Sequence, residues 1–410
     1  MSTIDTLHVR EAPITTSNVR HLRSSGSSLH NITTGQHLTN HEIKPFAYFS
    51  QDSSVNEAFG LRKWPQLLSY LEKGDMTLRK NTLRCLTRIL KNPQDASMCL
   101  RHGLLAFIER GIISSEDKEF QKLAAHVFSV VVECSNGRLE VSKAHRNNLD
   151  ELDDGTTATL LDRIRPVFAT LGISSDETSR ATCLFLYDAF ISLSQTCVGA
   201  QIITLHGFVS IILDHIRWSP KSVSNKSDIR IQAFHLLRNV VNDGLEATGA
   251  LILDLEALQL CSKYLRHVNY HVQVGACDAI AAISYIDRAK QVALEFGVVK
   301  ELSQLLTYAN RKVQGACAGA LMSLAINDEA KSVMISNNAL LVMPQLLKCP
   351  EDSVKLNVLK LIAVVAAHPE ARKQLNTSLI IDSLTSLIQL QDPLLSKPAK
   401  IALAVVEWRI

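Results

Sequence analysis

The chain has 410 residues, 43 basic and 40 acidic, for a net charge of +3, with 46% hydrophobic residues but only 5% aromatic ones. So even a balance of charge gives no case for a polybasic surface for nucleic acid or anionic membrane, and so few aromatics favour stacked Ala-, Leu- and Val-rich helices over a sandwich of aromatic strands. The nine cysteines form no CxxC pair and are odd in number, which reads as reduced, buried thiols rather than a disulfide framework or a metal centre.

Residues 1–45 are rich in Ser, Thr, His and Asn and show no helical periodicity. They are expected to form a disordered or extended tail, with a repeat solenoid over 46–410. Five histidines fall in this stretch (His8, His21, His30, His37, His41), without ligand spacing. There is no apolar core of a secretory signal, and nowhere are there eighteen consecutive apolar residues, so neither signal peptide nor membrane span is expected.

The first helical unit runs from Trp64 to Leu71, breaks at Gly74-Asp75, and resumes over 78–90 with Leu83, Leu86 and Leu90 on one face. Pro93 then enforces a stop. The segment 102–108 follows, and its His102-Gly103 matches Phe296-Gly297 further on. Glycine there suits a helix end that needs positive φ. The second unit begins with FQKLAAHVFSVVV (120–132). Asn136-Gly137 is read as opening a polar insert, near 138–160, that ends in an acidic surface loop. The third unit is 178–194 with 206–213. A second polar insert is expected near 218–228, before the fourth unit at 229–241 and 255–265.

The fifth and sixth units repeat one another plainly. Gly275-Ala276-Cys277 recurs as Gly315-Ala316-Cys317, and Leu305-Leu306 as Leu346-Leu347. A period of about 41 residues with helical phase is the signature of armadillo or HEAT repeats. Such units cannot bury their apolar faces singly, so they stack. Cys317, Ala320, Leu321 and Leu324 follow the helical i, i+3, i+4, i+7 pattern. The neighbouring Gly315, Ala316, Ala318 and Gly319 are small enough for close helix approach. A seventh unit starts at Val354. A part-unit over 396–408 is expected to start on Ser396 as cap, with Pro398 in its first turn. The fold class is therefore an all-α, armadillo/HEAT-like superhelical solenoid of about seven to eight repeats.

No sequence pattern carries chemistry. Phosphate loops, HExxH and GxSxG are absent. Asp150 to Gly155 starts like a calcium loop, but Leu152 and Leu161 stand at ligand positions. His267 and His271 straddle a turn with no acidic third ligand nearby. No catalytic residue, cofactor or metal is assigned, and the chain is read as a non-enzyme.

Importin-α-like adaptors carry a Trp and, four residues later, an Asn on successive third helices. Asn239 is the one matching asparagine here, with His235 at the Trp position. The equivalent pairs are Arg84 and Arg88, Asp278 and Ala282, and Gly319 and Ser323, so that ladder is absent. In this register Arg84, Arg88, His235, Asn239, Asp278 and Lys360 face the concave side, either as a contact stripe for a partner or as solvated helix faces. The final helix, Ile401 to Trp408, is apolar nearly all round, whereas a terminal repeat needs a polar outer face. Trp408 is therefore a further candidate protein-binding residue.

LYDAF (186–190), GAQ (199–201), GACAGALMSLA (315–325), VKLNVLK (354–360), HPEARKQL (368–375) and IALAVVEW (401–408) occur in this order. On these words the chain resembles the radial spoke head protein 14 family of cilia and flagella. The long N-terminal stretch and the two inserts depart from that family. The resemblance implies a non-catalytic armadillo scaffold of the axoneme. It would bind other radial spoke proteins and associate indirectly with doublet microtubules, with no nucleic acid and no membrane. The alternative is a soluble cytosolic armadillo adaptor for cargo or signalling partners.

Overall fold

The computed structural model describes residues 55, 60–150, 159–221, 228–243, 246–390 and 392–408. The expected tail at 1–45 lies outside them. Every regular element among the described residues is helical. After a 3₁₀ turn at Gly60–Arg62, helices α1 (Lys63–Lys73) and α2 (Met76–Ile89) form a pair. Seven triads follow. They are α3 (Pro93–Arg101), α4 (Leu104–Ile113) and α5 (Lys118–Glu133); then α6 (Ser135–Asp150), α7 (Leu160–Gly172) and α8 (Glu177–Leu193). Next come α9 (Cys197–Leu205), α10 (Phe208–Trp218) and α11 (Ile229–Asp243); then α12 (Glu246–Asp254), α13 (Ala257–Lys263) and α14 (Tyr270–Ile283). The last three are α15 (Asp287–Glu295), α16 (Val298–Tyr308) and α17 (Arg311–Leu324); α18 (Asp328–Ser336), α19 (Met343–Leu347) and α20 (Asp352–Val365); and α21 (Pro369–Leu375), α22 (Ser378–Gln389) and α23 (Pro393–Val406).

Local chemistry sets the joints of each triad. In five of the triads the first and second helices meet at a left-handed residue. This is Gly103 (φ 87°), Gly207 (φ 73°) or Gly297 (φ 67°), and Glu256 (φ 54°) and Asn338 (φ 59°) take the same position where glycine is missing. Most third helices start on side-chain caps; α20, preceded by Glu351, does not. Asp75, Asp117, Asp176, Asn269, Asn310 and Asp392 each accept a backbone N–H from the first turn, which satisfies donors that would otherwise be orphaned.

A third joint recurs one turn into the third helix. Arg79, Gln121, Arg230, Gln273 and Gln314 reach back to a carbonyl at the end of the second helix. Arg79 Nε donates to Leu71 O (2.6 Å), Gln121 Nε2 to Ile112 O (2.7 Å) and Arg230 Nε to Ile216 O (3.0 Å). Gln273 Nε2 donates to Leu265 O (3.0 Å) and Gln314 Nε2 to Leu306 O (2.7 Å). Each bond fills an unsatisfied helix-end carbonyl and fixes the angle between the two helices.

The third helices pack on one another in unbroken succession from α2 to α23, more intimately than the second helices do. They therefore form the inner wall of the solenoid. Small residues make that approach possible: a Cβ on Gly275 would come within 2.9 Å of Phe234 Cβ, and one on Gly315 within 2.8 Å of Val354 Cγ2. Cys277 and Cys317 meet there, buried, with Sγ atoms 3.5 Å apart.

The centre of the solenoid is aromatic instead. Phe168 packs edge-on against Tyr187 (4.9 Å) and Phe190 (5.1 Å), and Phe190 against Phe208 (4.9 Å). Within this cluster His215 is fully buried. Its Nε2 donates to Ala169 O (3.2 Å), so its Nδ1 accepts from the Tyr187 hydroxyl (2.7 Å). Burial holds His215 down at about 4, neutral, with the Ala169 carbonyl opposing that shift.

Two expectations are corrected. The stretch expected as a polar insert near 138–160 is helical through Asp150, as α6, the first helix of its triad. Its few apolar residues hide this, but Val141 is buried and α6 packs on α3, α5 and α9. Residues 151–158 lie outside the described residues. The final helix begins at Pro393, capped by Asp392, whose Oδ1 accepts from Leu394 N–H (2.9 Å), and Pro398 sits inside it. An Asp before a proline at the first helical position is the stronger start signal, so Ser396 does not cap. The expected insert near 218–228 joins α10 to α11; its ends, Ser219 and Asp228, are buried, and 222–227 lie outside the described residues.

Candidate binding groove

The inner wall presents one register position from every third helix: Arg84, His126, Phe185, His235, Asp278, Gly319, Lys360 and Ile401. Arg84, His126, His235, Asp278, Gly319 and Lys360 each lie between pairs of buried residues that anchor the helix to the core, as Thr82 and Leu83, with Cys85 and Leu86, do for Arg84; Phe185 and Ile401 are flanked by buried residues less completely.

The candidates divide by how firmly they are held. Arg84 is exposed and sits 3.8 Å from Glu119 Oε1, with Nη1 donating to Asn81 Oδ1 (2.9 Å). Arg88, one turn later, is also exposed. In the middle of the groove the polar groups are bound to one another. Asn239 Nδ2 donates to Ser194 Oγ on the previous third helix (3.0 Å). Arg238 donates to Asn239 Oδ1 (3.3 Å) and pairs with Asp278 Oδ2 on the next (3.4 Å). Burial raises the Asp278 carboxyl above its ordinary value, against the Arg238 guanidinium. His235 is lowered, first by burial and then by Arg238. Asn239, Arg238 and Asp278 thus form a strap across α8, α11 and α14, pre-ordered for contact rather than free to reorient. Lys360 is exposed and makes no ion pair among the described residues.

Trp408 stands apart from this row. It lies beyond the last turn of α23, with the Arg372 guanidinium 4.5 Å from its ring centroid. Arg372 also donates to Ala366 O (3.0 Å), Ala367 O (3.1 Å) and Trp408 O (3.5 Å). The indole is thereby pinned yet remains 56% exposed.

Sequence reasoning missed His126 and Phe185. Their rings stack across α5 and α8 at 4.2 Å and 12°, and the His126 imidazole is lowered by burial and by Lys91. The matching register was readable in FQKLAAHVF, but the longer spacing to the next unit obscured that Phe185 is its neighbour. Asp188 was missed too; burial and then Glu133 raise its carboxyl.

Among the described residues no three His, Cys, Asp or Glu side chains converge on a point that could hold a metal ion. The groove offers donors, rings and an ordered polar strap, which are the means of recognition.

No family model matches the chain, and no curated protein does. Solved structures do. One engineered protein superposes with a TM-score of 0.66 at 21% identity, covering 85% of this chain and 79% of that one. A second engineered protein has a TM-score of 0.50 at 22% identity over 60% of this chain and 98% of its own. A designed armadillo repeat protein has a TM-score of 0.48 at 23% identity, over 59% of this chain and 100% of its own. At such identities likeness speaks to fold alone. The fold is an all-α, armadillo-like solenoid.

Proposed function

We propose that this chain is a non-catalytic scaffold that captures segments of partner proteins along its inner groove. The observation that carries this reading is the pre-ordered Asn239–Arg238–Asp278 strap, which ties three successive third helices together in the middle of the row that runs from Arg84 to Lys360. Side chains already fixed by neighbours lose little freedom on binding, which is what a recognition surface requires.

The finer reading places this scaffold in the ciliary or flagellar axoneme, as a component of the radial spoke bound to other spoke proteins. It is supported by the ordered words shared with the radial spoke head protein 14 family, above all VKLNVLK, HPEARKQL and IALAVVEW. These words form α20, α21 and α23, which pack against one another and hold the pinned Trp408.

Fractionation of a tagged copy in a flagellated cell tests both levels. Retention with demembranated axonemes through a salt wash, together with spoke proteins, is the expected result. Release into the soluble fraction with cargo or signalling partners would refute the axonemal reading in favour of a cytosolic adaptor. A monodisperse chain that co-purifies with no protein from either fraction would refute the scaffold itself.

A further inference from the structure

The groove changes character along its length. One residue beyond the C-cap of each third helix, the side chain stands on a ridge at the edge of the inner wall. In the first half of the solenoid the ridge is polar, with Lys91, Ser135 and Gln195. In the last four repeats it is Tyr285, Ile326, Ala367 and Trp408, at the repeat period of about 41 residues. Tyr285 is 65% exposed, Ile326 61% and Trp408 56%. Isolated exposed apolar residues need no explanation, but large apolar side chains fill the same register in three of four successive units, interrupted at Ala367, with the Arg372 guanidinium over the Trp408 ring at the far end.

The floor beside this ridge is apolar as well. One turn before it lie Ala281, Met322, Ala363 and Ala404, all at least partly exposed. About two turns before it lie Lys360 on α20, in the groove row, and Lys400 on α23, one residue before the row position Ile401; both are exposed and without ion-pair partners among the described residues. The Asp278 carboxylate at that level is committed to Arg238. Behind the ridge, Asp287 and Asp328 are each compensated by a lysine, Lys290 at 2.6 Å and Lys331 at 2.7 Å. The uncompensated charge bordering the apolar floor opposite the ridge is positive.

We infer that the C-terminal half of the groove is a seat for an amphipathic α-helix of a partner, apolar on one face and acidic on the flank that meets Lys360 and Lys400. This rests on the scaffold reading above and names the chemistry of one of its partners. The dimensions agree. Two turns of third helix separate ridge from lysines, about 10–12 Å, which is the diameter of one α-helix with its side chains. Adjacent third helices stack at about 8–10 Å, and residues i and i+7 of a helix lie about 10.5 Å apart. A partner helix lying across the stack therefore offers one apolar side chain per repeat. The four-repeat ridge is some 24–30 Å long, which a helix of about 18 residues spans.

The test uses the full chain and a display library of helical peptides about 18 residues long, with apolar residues at the i, i+3, i+4, i+7 positions and Glu, Lys or Gln varied elsewhere. Survivors should be net acidic. Their affinity, read by fluorescence anisotropy, should weaken at least about tenfold with Ile326→Asp or Trp408→Ala. It should also weaken with Lys360→Glu combined with Lys400→Glu, and a Glu-to-Lys version of the peptide should regain affinity for that charge-reversed double variant. All these positions are exposed, and unchanged circular dichroism confirms that each variant is folded. Survivors that are net basic, or acidic survivors indifferent to Ile326→Asp and Trp408→Ala, overturn the inference. Survivors lost on Arg84→Glu instead would place helix capture in the first half of the groove; that overturns this seat and leaves the scaffold reading standing. An empty selection overturns the seat, while the fractionation result decides the scaffold reading separately.

Discussion

His215 offers a quantitative check on the interior. Its imidazole is fully buried among Phe168 and Tyr187, and burial lowers it from 6.5 to about 4 in the folded chain. In the unfolded chain it protonates near its ordinary value. Between those two values the unfolded state binds the extra proton, so stability falls as pH drops through about 6.5 and the loss levels off below about 4. Integrated to about pH 4.5, the penalty from this one group is about 2.5 kcal/mol. Other groups titrate in the same range, so the quantity to measure is a difference. His215→Phe keeps the ring but removes the bonds to Tyr187 and Ala169, and costs roughly 2–4 kcal/mol at neutral pH. Because phenylalanine cannot protonate, the stability gap between wild type and variant should shrink by about 2.5 kcal/mol between pH 7 and 4.5. Urea unfolding followed by far-UV circular dichroism at both pH values reads it. A gap that stays constant within about 0.5 kcal/mol would show that this histidine is not held neutral by burial.

Other consequences can be checked in parallel. Gly315→Ala puts a Cβ 2.8 Å from Val354 Cγ2 and should destabilise by about 1–3 kcal/mol from overpacking, less any gain in helix propensity. Gly319→Ala meets only the Asn357 amide at 3.3 Å and should be neutral or stabilising by up to about 1 kcal/mol; equal losses at both sites in thermal melts would contradict the packing described. Arg230 is buried against Asp228 and donates to the Ile216 and Ser219 carbonyls. Arg230→Leu strands that carboxylate and should cost about 3–5 kcal/mol, measured by denaturant midpoint. Burial pushes the Cys99 and Cys261 thiols up to about 12, while Cys197 is exposed. Titration with a chromogenic disulfide at mild alkaline pH should label Cys197 fast and Cys99 and Cys261 only after unfolding; rapid labelling of either buried thiol would mean that the solenoid breathes locally.

The identity of the groove row was half legible. Arg84, His235, Asp278 and Lys360 were found because each follows a recognisable apolar phase, and helical phase is a property of sequence alone. His126 and Phe185 escaped because their pairing depends on how far apart two units fall along the chain. The register carries no mark of the Asn239–Arg238–Asp278 strap, since its bonds join three helices. The first helix of the second triad, α6, was hidden for a related reason: its sequence is mostly polar, with few apolar residues such as Val141 to mark a buried face, so it leaves a weak periodic signal.

The sequence by itself determined the repeat. The period, the glycines at the first joints, and the Asp and Asn caps are local requirements, each satisfied by residues within one turn of one another. It also determined which face of each third helix is apolar. The tertiary structure decided which side chains meet across units: the Phe185–His126 stack, the neutral His215, and the ridge that aligns Tyr285, Ile326 and Trp408. Those depend on the interaxial approach of successive helices, and that distance is set by packing between residues some forty positions apart, where no local preference reaches.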